Sequence, residues 1–145
     1  MAVTAKVYGL AQTSFANKLI DWDSDTIKVM LCTSTYTPNQ DTHQFKSDVT
    51  NEVSGTGYTA GGATLGSCTT TYTGASNLLT LDAADTSWAT STITARYAVI
   101  YDSTPATDAT RPLIAYVDFG ADVSSTGGTF QITWDAAGIV TLTAA

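Results

Sequence analysis

Thr129-Phe130-Gln131-Ile132-Thr133-Trp134-Asp135-Ala136-Ala137-Gly138-Ile139-Val140-Thr141-Leu142 is the stretch on which the fold turns. Phe130, Ile132 and Trp134 alternate with polar residues, the two-residue period of a half-buried strand. Asp135 to Gly138 then reads as a turn, because Gly138 can take a positive φ, and Ile139 to Leu142 returns. The pattern predicts a β-hairpin over residues 129–142 with Trp134 on its inner face.

Working outward, the composition agrees. The chain has 145 residues, with 28 Thr and 12 Ser but one Glu (Glu52) and four Lys. Thr is β-branched and suits a pleated surface, whereas Glu and Lys usually coat exposed helices. Further strands are predicted over 68–73, 78–81, 92–101 and 113–119, and a mostly apolar run predicts a first strand over 26–33. Leu10, Ala11, Phe15, Leu19 and Trp22 recur at near-helical intervals, so a short helix is expected over 8–20, ended by Asp21, Asp23 and Asp25 in Asx-type turns.

Residues 34–62 read as an extended loop region. Within it, Asp41 is a candidate N-cap for one or two helical turns that put Phe45 and Val49 inside. The glycines from Gly55 to Gly66 mark tight turns or bulges. No repeat or linker divides the chain, so one β-rich domain over 1–145 is expected: an antiparallel, jelly-roll-like β-sandwich behind a short N-terminal helix. A chain of 15.1 kDa should bury roughly two thirds of its extended surface without staples.

Charge narrows the function. Thirteen acidic residues against six basic ones give −7, and the six cations are scattered, which argues against nucleic acid. No apolar run approaches a membrane span, and no signal peptide is visible. Cys32 reads as core filler and Cys68 as a second reduced thiol, without metal or redox spacing.

No catalytic, cofactor-binding or metal-binding set is read from the motifs. His43 is the only histidine and reads as a surface residue, and no nucleophile signature accompanies it. Gly55 to Gly61 imitates a phosphate loop, but neither a helix nor a lysine follows. Asp21, Asp23 and Asp25 resemble the start of a calcium loop that then fails, with Thr26 where Gly belongs and Cys32 where Glu belongs. Asp82, Asp85, Asp118 and Asp122 could serve glycoside hydrolysis only if two of them faced each other across a site. Trp22, Trp88 and Trp134 are core candidates, or a sugar platform if exposed. Sheet edges with so few Lys and Pro to guard them suggest surfaces occupied in an assembly.

Several stretches, in order along most of the chain, resemble a family of small virion structural proteins of tailed bacteriophages. They are Ile20 to Leu31, Thr35 to His43, Asn51 to Ala63, Thr92 to Tyr101 and Gly128 to Gly138. The resemblance implies a particle component made in the bacterial cytoplasm and incorporated into virions. Size and β character are similar to those of capsid decoration (cement) proteins, which bind the outside of the head lattice and reinforce it. The implied partners are the major capsid protein, other virion proteins and further copies of the chain, with no cofactor. Tyr36 and Tyr58, in the 34–62 region, are the candidate contact residues. The alternative is a tail, neck or fibre component, including an adhesin that stacks host glycans on exposed Trp22 or Trp88.

Overall fold

The computed structural model describes residues 2–144. In chain order it forms β1 (Thr4–Val7), α1 (Gly9–Ala16), β2 (Ile27–Cys32), a 3₁₀ turn (Lys46–Asp48), β3 (Ala63–Thr64), β4 (Thr69–Thr73), β5 (Leu78–Asp82), β6 (Thr86–Asp102), β7 (Leu113–Ile132) and β8 (Val140–Thr143). The strands make two antiparallel sheets, ordered β1-β7-β6-β2-β3 and β4-β5-β8. The fold is all-β and sandwich-like, as the Thr-rich composition predicts.

The five-stranded sheet is covered on both faces, which is why β2 is a continuous apolar run and not an alternating one. On one face Ile27, Val29, Leu31, Ala98, Ile100 and Ile114 pack with Trp22 of the turn before β2, Trp88 of β6 and Leu81 of the smaller sheet. On the other, Met30, Cys32, Val99 and Tyr101 pack under Tyr8, Ala11 and Tyr36. The accessible surface is 7381 Å², against roughly 22,000 Å² for an extended chain of this mass, so about two thirds is buried.

The hairpin over 129–142 does not form. Phe130 and Ile132 of β7 pair with Trp88 and Thr86 of β6, whereas Val140 to Thr143 pair with β5 in the other sheet. The turn itself is present: Gly138 has φ 103°, and its N–H donates to the Asp135 carbonyl at 2.9 Å. What it joins is one sheet to the other. Local alternation reports which face of a strand is buried but not which neighbour takes its hydrogen bonds.

The helix stops at Ala16, short of residue 20. The Leu19 N–H bonds the Ser14 carbonyl and the Lys18 N–H bonds Phe15, with Lys18 at φ 59°. That is a Schellman ending with Lys where Gly is usual, so the stop signal is absent from the sequence.

The strands read over 113–119 and 129–134 are one strand, β7. Six of its residues, Asp118 to Val123, span what the three from Ala95 to Tyr97 span in β6, and a second irregularity lies opposite Ser91 and Ile93. These bulges hold the glycines and serines that read as loop. The short strands β1 and β3 were not expected. Around 41–49, Asp41 caps nothing: the Asp48 carboxylate takes the Gln44 and Phe45 N–H groups instead. Phe45 and Val49 are half-buried, as expected.

Candidate functional site

An open cleft of about 690 Å³ lies between the two sheets. Phe119, Val123 and Phe130 of β7 face Trp134, Ile139 and Val140 across it. Lys6, Tyr116 and Asp135 are the ionisable groups in its described wall, too few and too unlike to form an acid–base or nucleophilic set.

Beside the cleft runs an open sheet edge. β1 pairs with β7 only at residues 115–118, so no described strand covers the outer side of β7 along residues 119–132. That edge carries no Lys, Arg or Pro, and Asp122 is its one charge. Val123 on it and Leu142 on β8 are exposed. An edge of this length, with unpaired backbone groups and so little guarding it, is a template for pairing.

The predicted contact residues lie elsewhere and are structural. Tyr36 is 1% exposed, so it offers nothing to a partner. Its hydroxyl bonds the Tyr8 hydroxyl at 2.9 Å and His43 Nδ1 at 3.0 Å, and its ring stacks on the imidazole. His43 is therefore half-buried against Tyr36 and not a free surface residue. Burial pushes the Tyr36 phenol up to about 12 and the Tyr8 phenol higher still, so this chain of hydroxyls stays protonated.

Tyr58 is half-buried and closes the side of β2 that the two-residue β3 leaves bare. Its hydroxyl accepts the Leu31 N–H at 2.9 Å and donates to Glu52 Oε1 at 2.7 Å. Glu52 also receives the Gly61 N–H, and Val53 N–H donates to the Leu31 carbonyl. The 34–62 segment thus completes the sheet edge and covers its outer face instead of projecting as an arm. The loop position of these tyrosines was legible, but their long-range partners were not.

The other candidates resolve similarly. Trp22 and Trp88 are buried, so neither can stack a sugar. Trp134 is half-buried at the cleft. Asp118 pairs with Arg96 at 2.6 Å, Asp85 holds the Trp134 N–H, Asp122 is exposed on β7 and Asp82 lies on β5. Asp21 and Asp25 accept backbone N–H groups inside their own turn, the Asx-type role expected of them. Cys32 and Cys68 are free thiols, and burial pushes Cys32 up to about 12.

One residue escaped the sequence reading. Asp102 closes an apolar strand, yet it is fully buried and its Oδ2 has no hydrogen-bond partner. Burial, opposed by the Thr104 N–H and aided by the neighbouring Asp25 carboxyl, raises it to about 6.

No protein-family model, curated protein or solved structure matches the chain. Among the described residues, no helix is long and apolar enough to cross a membrane.

Proposed function

We propose that this chain is a non-enzymatic virion structural protein of a tailed bacteriophage, a capsid decoration protein that binds the outer head lattice and stabilises it. The observation that carries the reading is the uncovered β7 edge along residues 119–132, lying beside an apolar cleft. A neighbouring subunit supplying an extended segment would satisfy the edge backbone and fill the cleft with alternate side chains. Affinity per copy can be modest, because repetition over a lattice multiplies it.

The surface chemistry supports the same reading. Exposed β4 is Thr-Thr-Thr-Tyr-Thr, a neutral hydroxyl face. The resemblance to small phage virion proteins supplies the particle, and the edge supplies the mode of attachment. The glycan-binding alternative loses its platform with Trp22 and Trp88 inside the core.

The test is co-sedimentation with heads lacking decoration. Wild-type protein should pellet with heads, and Val123→Lys combined with Ala121→Lys should abolish pelleting while leaving the melting temperature unchanged. A wild-type protein that stays in the supernatant overturns the reading.

A further inference from the structure

Asp102 is the last residue of β6 and pairs directly with Ile27 of β2. Cross-strand partners share a face, so the Asp102 carboxyl points with Ile27 into the inter-sheet core and not toward solvent. It is 0% exposed. Its Oδ1 accepts the Thr104 N–H at 2.8 Å, and the Thr104 hydroxyl lies against the same carboxyl. Its Oδ2 has no donor.

The nearest ionisable group is another acid. Asp25 is half-buried and its carboxyl lies beside that of Asp102. Asp25 Oδ2 already takes the Asp21 N–H at 2.7 Å. Asp21 and Asp23 add negative charge on the same turn. None of the four has a Lys or Arg within salt-bridge distance among the described residues.

A buried carboxylate oxygen without a donor is costly, and a second carboxylate beside it adds repulsion. A small cation between the two removes both penalties. The available donors are two carboxylates and a hydroxyl, all hard oxygen ligands, with solvent reaching the Asp25 side. Neither the failed calcium-loop pattern at Asp21, Asp23 and Asp25 nor any short motif contains this pair, because its members are 77 positions apart.

We propose that Asp25 and Asp102 form a binding site for a divalent cation of the calcium class, with the Thr104 hydroxyl and water completing the shell. No third His, Cys, Asp or Glu joins them among the described residues, so the affinity belongs to the weak class of about 10⁻⁴–10⁻³ M. The ion would staple the Asp-rich turn before β2 to the end of β6. That junction is already held by Ser103 N–H on the Thr26 carbonyl at 2.9 Å and by Thr26 N–H on the Thr104 hydroxyl at 2.8 Å.

The experiment is thermal unfolding of the full chain in chelator and in calcium, with terbium emission sensitised by Trp22 as a second readout. At calcium about tenfold above the dissociation constant, the wild-type melting temperature should rise about 3–5 °C. Asp102→Asn and Asp25→Asn should each lose the rise and the terbium signal, while Asp122→Asn on the exposed β7 edge keeps both. Asp25 is half-exposed, so its variant decides the matter if the Asp102 variant fails to fold. No calcium-dependent rise in the wild type, or an undiminished one in Asp25→Asn, overturns the proposal.

Discussion

The Trp134 indole N–H donates to the Ala84 carbonyl at 3.1 Å. One residue further on, the Asp85 carboxylate accepts the Trp134 backbone N–H at 3.0 Å. The segment from β5 to β6 and the segment from β7 to β8 both cross between the sheets, and Trp134 binds the two crossings together through its ring and its backbone. Trp134→Ala should therefore cost about 2–3 kcal/mol, less than a fully buried tryptophan because the ring is half-exposed. Urea unfolding measures it, and a loss under about 0.5 kcal/mol would show that the crossings do not depend on the contact.

Two glycines with positive φ should behave differently. Gly62 has φ 78°, and a Cβ there would lie 1.9 Å from the Val29 carbonyl oxygen and 2.6 Å from Met30 Cα. Gly127 has φ 63° but open space around it. Gly62→Ala should cost about 3 kcal/mol or more, since backbone of β2 must move, and Gly127→Ala about 1 kcal/mol from conformation alone. Equal losses would contradict the packing of residue 62 on β2.

These residues also mark what the sequence could disclose. The β class follows from Thr abundance and scarce Glu and Lys, and the β2 run and the turn closing on Gly138 are local signals. Which sheet Val140 joins is decided by β5, some 60 positions earlier, and no local pattern carries that. Lys18 ends the helix in a conformation its chemistry does not advertise. The uncovered β7 edge is visible only once β1 is seen to stop at Asp118. Tyr36 and Asp102 look like a loop residue and a strand end until their distant partners are known.

Tyr58 tests whether the 34–62 segment is part of the sheet. Tyr58→Phe strips the Leu31 N–H of its acceptor and Glu52 of a donor, which should cost about 1–3 kcal/mol. Glu52→Leu should also destabilise, and in the double variant the two losses should fall short of their sum, because both remove one hydrogen bond. Strict additivity would place the two groups outside a common network.

Acid should weaken the β6–β7 pairing at Asp118. The Arg96 hydrogen bond holds the Asp118 carboxyl below the usual carboxylate range, with the Gly120 N–H adding to it. A depressed folded pKa contributes stability above the unfolded value and loses it as pH falls through the folded one. The wild-type melting temperature should exceed that of Asp118→Asn at neutral pH, and the difference should shrink as pH falls below the usual carboxylate range. A difference unchanged by acid would mean that the charge of Asp118 plays no part.

The most direct test of the proposed decoration role is an electron-microscopy reconstruction of phage heads incubated with this chain. The account predicts density for the two-sheet fold on the outer head lattice, with the β7 edge along residues 119–132 covered by a neighbouring subunit. Copies seated with that edge open to solvent, or absent from the particle, would contradict it.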